Sequence, residues 1–477
     1  MSRTSKGIIW SFVERFSSQG IGFIVSIIIA RLVAPEEYGL LALISVFLAL
    51  AQVFIDSGFG NALIQRQNRT EEDYHTVFIF NMVVALVLYL AFFFAAPLIA
   101  DFYDEPRLVL LTRFISLNLI ISSLCIVQRT RLNIALDFKT QAKATVAATI
   151  LSGVTGIVLA YQGFEVWALV VQQILFQSVN AVVLMYYSRW LPKLQFSWVS
   201  FRSMFSFGSK LLINNLITSI YINVANLVIG KYYSPASLAF YNRGFTLSQL
   251  PSTNIEAVLQ RIIYPLTCEV QNDRDRLVQT YYKYLHFSHF IILPLMTLLC
   301  VLSAPLISVL LTDKWLPAAE YVSLFSINFM FYAWIDQSGS VTNAVGRSDL
   351  NLKGTFFKRP IAFVLLFIAL GISVRAICIA TIFTSFMELL TNMYFTNKVA
   401  NLTYFQQIKS QADVILASLF MGIAAYLTTF MFDTAITKLI MGVLAGTITY
   451  IMLTFVFRFE ERHILLSVLT KLNLHHK

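Results

Sequence analysis

Apolar runs of about 20 residues recur from one end of this chain to the other, the length at which a helix crosses a hydrocarbon layer about 30 Å thick. Short polar segments separate them. The pattern predicts about fourteen membrane-spanning helices, near 8–30, 38–58, 76–99, 108–127, 142–161, 164–187, 208–230, 237–258, 286–311, 318–338, 356–373, 375–396, 411–430 and 436–457. Two of these are poorer in apolar residues: 38–58 ends near Asp56, and 237–258 contains Arg243 and Glu256. The expected fold is therefore all-α and polytopic.

The two poorer spans occupy equivalent places in an internal repeat. An apolar segment runs into Ala30-Arg31-Leu32-Val33-Ala34-Pro35, and another into Gly230-Lys231-Tyr232-Tyr233-Ser234-Pro235; each re-enters an apolar segment, at Gly39 and Ala239 respectively. The register preserves small, basic and proline positions, which an excess of Leu, Ile and Val would not supply by chance. A duplication of this kind in a membrane chain predicts two related helical bundles. The expected boundaries are 1–190 for a first six-helix lobe, 191–396 for a second with its linker, and 397–477 for a further helix pair and tail.

Composition agrees with the spans: 57% of residues are hydrophobic and 13% charged, too little polar surface for a soluble globule of 477 residues. The net charge of +10 changes the picture through its distribution. Alternate connections carry Arg66 and Arg69, then Arg129, Arg131, Lys139 and Lys143, then Arg189 and Lys193, then Arg274 and Arg276, then Arg347 and Lys353, then Lys398 and Lys409. The intervening ones carry few bases and several acids, among them Glu36, Glu37, Asp101 and Asp104. Basic short loops favour the cytoplasm, so both termini are expected there. The charge reads as an orientation signal and an attraction to anionic inner-leaflet lipids, not as a nucleic-acid surface.

The first apolar segment lacks an Ala-x-Ala-like cleavage site and is expected to remain as a helix. Glu14, Arg15, Ser17, Ser18 and Gln19 interrupt it, so one side should face a polar interior. Cys125, Cys268, Cys300 and Cys378 have no paired spacing, and the histidines do not converge, so neither a disulfide framework nor a metal site is expected. No phosphate-cradling glycine loop is present, and the connections are too short to hold a catalytic domain. Gly20 and Gly22, Gly153 and Gly156, and Gly442 and Gly446 are expected to let helices approach closely. Tyr281, Tyr282 and Tyr284, and likewise Trp190 and Trp198, are expected at headgroup depth.

Three motifs carry a family resemblance: Ala30 to Gly39; Asp56-Ser57-Gly58-Phe59-Gly60-Asn61-Ala62-Leu63-Ile64-Gln65-Arg66; and Tyr241-Asn242-Arg243 followed by Pro251 and Tyr264-Pro265. On these the chain resembles bacterial polysaccharide exporters of the lipid-linked oligosaccharide flippase type, in particular the subgroup that includes the colanic acid exporter. Multidrug extruders and peptidoglycan-precursor flippases belong to the same superfamily. The resemblance implies two lobes and a C-terminal helix pair, and a cleft opening alternately to either side of the membrane. It implies a polyprenyl-pyrophosphate-linked oligosaccharide as cargo, moved without chemical change. A polysaccharide polymerase and a chain-length regulator are the implied partners. No cofactor is expected, and coupling to an ion or proton gradient stays open. Two alternatives also stay open: a drug or cation antiporter of the same superfamily, and a non-transporting scaffold or enzyme of envelope synthesis.

A cargo of sugar and pyrophosphate needs a polar path where ions are costly. Candidates for that path are Arg243, Asn242 and Tyr241, with Tyr221, Asn223, Asn214, Asn215 and Asn226 on the preceding span. Against this stand a helix-packing network built from the same groups and a role at the lipid headgroups. Asp56 and Glu256, 200 residues apart at one repeat position, are candidates for closing the cytoplasmic side by pairing with bases such as Arg66 and Arg261, or else for capping helices.

In a variant lacking the native cysteines, single cysteines at Gln67, Gln195, Asn272, Ser348 and Ser410 should react with impermeant maleimide only from the cytoplasmic side. Those at Glu36, Asp104, Ser234, Asp313 and Thr434 should react only from the opposite side. Cytoplasmic labelling at Ser234 would break the alternation.

Overall fold

Hydrocarbon offers no hydrogen-bond partners, so a spanning backbone must satisfy its own N–H and C=O groups, which a helix does within one segment. A computed structural model describes the backbone of residues 3–56, 58–459 and 461, with side chains from residue 17 onward. Glu14 and Arg15 lie outside the described side chains. Among the described residues, ten helices are long and apolar enough to cross a membrane. The chain is a multi-pass, all-α membrane protein. The remaining expected spans also fall on helices, but the segments around 237–258, 318–338 and 356–373 carry more polar or broken sequence than those ten.

The chain divides into two compact units, residues 1–239 and 240–477. The first contains α1 (Arg3–Leu32), α2 (Pro35–Asp56), α3 (Phe59–Gln65), α4 (Glu71–Tyr103), α5 (Leu108–Ile115), α6 (Leu117–Ile134), α7 (Phe138–Tyr161), α8 (Val166–Ser188) and α9 (Trp198–Tyr232). α10 (Pro235–Glu269) begins at its end. The second unit continues with α11 (Arg274–Val301), α12 (Ser303–Leu311), α13 (Ala318–Met330), α14 (Tyr332–Ala344), α15 (Ser348–Leu370), α16 (Val374–Ala400), α17 (Tyr404–Lys409), α18 (Ala412–Met431) and α19 (Ala435–Val456).

Both copies of the repeated junction fold alike. α1 and α9 each stop at a two-residue break, and α2 and α10 each start on a proline, the residue whose fixed φ and missing N–H suit the first helical position. In the first unit the two copies also touch. α2 packs along α9, and a Cβ on Gly39 would collide with the backbone carbonyl of Pro235. Only glycine allows that approach. Beside it, Lys231 Nζ lies 3.3 Å from an Asp104 carboxylate oxygen. At the other end of α9, Gly58, with φ 73°, faces the Gly208 carbonyl, which a Cβ there would approach to 2.9 Å. α9 is thus held at both ends by α2, α3 and α4, while its middle stays largely uncovered.

The segment before α9 is fastened to α4. Trp190 is buried, donates from Nε1 to Glu71 at 2.9 Å, and stacks on His75 with centroids 5.2 Å apart. Lys193 N donates to His75 Nδ1 at 3.2 Å, and Ser197 N to Thr76 Oγ1 at 3.0 Å. Trp190 is therefore a packed anchor and not an interfacial ring, because α4 supplies the acceptor that its indole N–H needs when buried. Trp198 remains exposed. Tyr281 likewise is buried, with Gln407 Oε1 at 3.0 Å and Ser338 Oγ at 3.2 Å satisfying its hydroxyl.

In the second unit, α18 and α19 pair and pack on α11 and α12. Gly442 and Gly446 meet Leu302 and Leu298 there, and Gly153 and Gly156 meet Val25 and Ile29 of α1. Gly20 and Gly22 have nothing within 4 Å of where a Cβ would stand, so they serve no close approach. Gly22 borders a cavity instead.

Gly39→Val should destabilise the protein by about 1–3 kcal/mol, since backbone cannot rotate out of the way. Gly20→Val should leave the melting temperature in detergent unchanged or slightly raised. Equal melting of the two variants would contradict the contact.

A candidate functional site in a polar cavity of the first unit

Two adjoining cavities in residues 1–239, of about 540 and 690 Å³, share Gln177 of α8. Side-chain period explains why their walls are polar. On α7, Thr145, Thr149 and Ser152 fall at i, i+4 and i+7, one face of a helix. On α2, Gln52 and Asp56 are four apart; on α8, Gln172, Gln173 and Gln177 turn toward the same space. α1 contributes Ser18, Gln19 and Ser26, which puts the expected polar side of the first helix onto the larger cavity.

The smaller cavity is ordered by a chain of hydrogen bonds. Ser122 Oγ lies 3.2 Å from Gln52 Oε1 and 3.0 Å from the Leu119 carbonyl, its one proton shared between them, and Gln52 Nε2 donates to Asp56 Oδ1 at 3.1 Å. Arg129 of α6 opens onto the same space, near enough for its charge to act on Asp56. Asn61, Asn133 and Asn215 complete the polar wall. In the larger cavity, Asn118 carries a buried Oδ1 with no hydrogen-bond partner among the described residues, an acceptor a ligand hydroxyl could satisfy. Amides, hydroxyls and one guanidinium can hydrogen-bond sugar hydroxyls and neutralise a phosphate. Among the described residues no group of three His, Cys, Asp or Glu side chains could hold a metal ion.

The other candidates separate. Asn214, Asn215, Tyr221, Asn223 and Asn226 lie on α9. Of these, Asn215 lines the cavity, and Asn223 Nδ2 donates back to Ser219 O at 2.9 Å. Tyr241, Asn242 and Arg243 lie on α10 in the second unit, where Tyr241 is buried edge-on against Phe325 at 5.2 Å. Arg243 sits over the fully buried Trp315, its Cζ 4.9 Å from the ring centroid. That is a cation–π contact, and Arg243 lines neither of the two cavities.

Asp56 and Glu256 occupy different local structures despite their shared register. α2 ends at Asp56, whereas α10 continues past Glu256 to Glu269. Glu256 is therefore no helix cap. It is buried, and its Oε1 accepts from Gln260 Nε2 at 2.8 Å and from Gln337 Nε2 at 3.1 Å. Arg66 does not reach Asp56; it pairs with Asp73 at 3.1 Å and donates to Ser203 Oγ at 2.8 Å. Asp73, fully buried, also accepts the Thr70 N–H at 2.8 Å, so the helix start of α4 competes for this carboxylate and wins Arg66 with it. Arg261 is exposed on α10.

The model of the family described as polysaccharide biosynthesis protein matches residues 28–320. The chain belongs to that family. It is 26% identical to the teichuronic acid biosynthesis protein TuaB of Bacillus subtilis over 63% of this chain, a stretch that spans 62% of TuaB. It is 25% identical to the lipopolysaccharide biosynthesis protein WzxC of Escherichia coli, over 75% of this chain and 73% of WzxC. A solved structure of the lipid II flippase MurJ in an inward closed conformation superposes with a TM-score of 0.77, at 18% identity, over 96% of this chain and 100% of that one. A multidrug resistance MATE family transporter, inward-facing, gives 0.60 at 14% identity over 82% and 99%. At these identities the two structures establish a shared fold.

Missed in the sequence were Arg129, Gln52, Ser122, Asn118 and the three glutamines of α8. The signal was present as hydroxyls and amides at helical spacing inside apolar spans.

Arg243→Ala should cost about 0.5–2 kcal/mol of stability through the lost cation–π contact, read as a lower melting temperature, and Arg243→Lys should recover part of it. Unchanged melting of Arg243→Ala would remove the packing role.

Proposed function

We propose that the protein flips polyprenyl-pyrophosphate-linked polysaccharide repeat units from the cytoplasmic to the periplasmic leaflet of a bacterial inner membrane. It acts as a secondary transporter and not as an enzyme. The observation that carries the reading is the pair of adjoining cavities lined by amides and hydroxyls, with Arg129 as their cation. Such a lining suits a hydrated oligosaccharide and its phosphates, whereas a cation antiporter would be expected to present acids with no guanidinium beside them. Family membership and the envelope-polymer roles named for TuaB and WzxC support the same class of cargo.

In this reading about fourteen spans form functional lobes over 1–190 and 191–396 with a peripheral pair over 397–477, both termini facing the cytoplasm. The polyprenyl tail stays in lipid while the head traverses polar surfaces that open alternately to either side. Arg129 contacts the phosphates, and Asn215 and the α8 amides contact sugar. Asp56 and Glu256, with Arg66 and Arg261 near them in sequence, regulate closure of the cytoplasmic side. Arg243, with Tyr241 and Asn242, supports the path through packing. A polysaccharide polymerase and a chain-length regulator act on the delivered unit.

Reconstituted into liposomes, Arg129→Ala should slow flipping of a native lipid-linked substrate by about ten- to a hundredfold, the loss of one charge-assisted hydrogen bond. Arg129→Lys should restore part of the rate, and both variants should match wild type with an analogue lacking phosphate charge. Wild-type rates for Arg129→Ala on the native substrate would remove Arg129 from the path. An absence of flipping by the wild-type protein, with efflux of organic cations instead, would replace the whole reading by the antiporter.

A further inference from the structure

A groove of about 410 Å³ lies between α15 and α16, far along the chain from the polar cavities and sharing no lining residue with them. Its walls are Phe357 from α15 and Met387, Leu390 and Phe395 from α16. The floor depends on Gly354, where a Cβ would stand 2.9 Å from the Phe395 ring. α17 closes one end: Tyr404 lines the groove and donates its hydroxyl to the Leu390 carbonyl at 3.4 Å. The interior is apolar and the mouth is not. Lys353 borders it, and Tyr394, also in the lining, carries Lys398 Nζ 5.3 Å above its ring.

The charge at this mouth is unbalanced. Asp349 is the acid within reach of Lys353, at 3.4 Å, but Arg347 already grips both of its oxygens, at 2.9 and 3.3 Å. The hydrogen-bonded Arg347 guanidinium holds the Asp349 carboxyl down at about 2, so that acid is fully ionised and largely neutralised by Arg347. Arg347 and Lys353 share the one charge of Asp349, and with Lys398 on the facing helix three bases outnumber that acid where an apolar slot meets water. The exposed Phe405 ring and the exposed Ile408 side chain of α17 continue the apolar surface beside it.

We propose that this groove binds one anionic glycerophospholipid, an acyl chain lying between α15 and α16 and the phosphate resting against Lys353 and Lys398. The apolar slot takes a chain, the two ammonium groups take a phosphate, and the tyrosines sit at the depth where aromatic rings favour the boundary of the bilayer. A cargo carrier would have to pass its head to the polar cavities, and this groove shares no wall with them. The occupant is therefore a resident lipid of the leaflet to which these basic ends belong. It steadies the contact of α15 with α16, which the groove otherwise leaves partly unfilled.

The test is native mass spectrometry of the full-length protein in detergent, titrated with phosphatidylglycerol, with phosphatidylethanolamine and with a polyprenyl phosphate. The wild type should retain one phosphatidylglycerol in preference to phosphatidylethanolamine. Lys353→Glu with Lys398→Glu should weaken that binding at least about tenfold, each lysine near a bilayer contributing on the order of 1 kcal/mol. The milder Lys353→Gln with Lys398→Gln should give a smaller loss with wild-type melting, which separates headgroup binding from misfolding. Thr391→Trp fills the slot and keeps both lysines, and should lose the lipid as well. The proposal is overturned by equal retention of the zwitterionic lipid, by full binding in the charge-reversed or the Thr391→Trp protein, or by displacement of phosphatidylglycerol by polyprenyl phosphate at lower concentration. None of these outcomes depends on whether the protein flips anything.

Discussion

Inside hydrocarbon a polar group has no solvent to fall back on, and this constraint organises the chain at every scale. It makes the segments helical, and Pro35 and Pro235 begin two of them at the position where the missing N–H costs nothing. It also governs side chains. Thr145 and Thr149 return their hydroxyl protons to the carbonyls of Gln141 and Thr145, at 3.0 and 2.8 Å. The buried carboxylates of Asp73 and Glu256 collect a helix N–H with an arginine in one case and two amides in the other. On the wall of the larger cavity, Asn118 keeps a buried acceptor without a hydrogen-bond partner among the described residues.

Much of the secondary structure and the class of the protein was legible in the sequence because both are written in one dimension. Apolar runs report spans, and the Ala30–Gly39 and Gly230–Ala239 stretches fold into the same junction. Partners across the fold were not legible. Nothing local distinguishes Trp190, buried by Glu71 and His75, from Trp198, which is exposed. The mating of Gly39 with Pro235 joins the two copies of the repeat to each other, a contact that similarity between them does not announce.

Part of the site could have been read earlier. Thr145, Thr149 and Ser152 mark one stripe of α7, and Gln52 and Asp56 one face of α2. Charged residues in weak spans stand out in a sequence by their cost, not by their surroundings. Arg243 and Arg129 show the difference: the first packs over the Trp315 ring, while the second, in a basic cluster at a helix end, opens onto the cavity. Equivalent sequence positions also diverged, because α2 ends where α10 runs on.

The back-bonded hydroxyls of α7 have a further consequence. Once Thr145, Thr149 and Ser152 have given their protons to their own helix, that wall can only accept. Across the same cavity stand the amides of Gln172, Gln173 and Gln177 on α8 and of Asn118 on α6, which can donate. Under the proposed function, a sugar ring in this space meets a surface with a direction: its hydroxyls give protons toward α7, while the amides facing it can both give and accept. Two epimers that differ in the orientation of one hydroxyl would present opposite polarity to the same wall. For the proposed cargo, the α7 wall is thus a means to read stereochemistry that needs no charge.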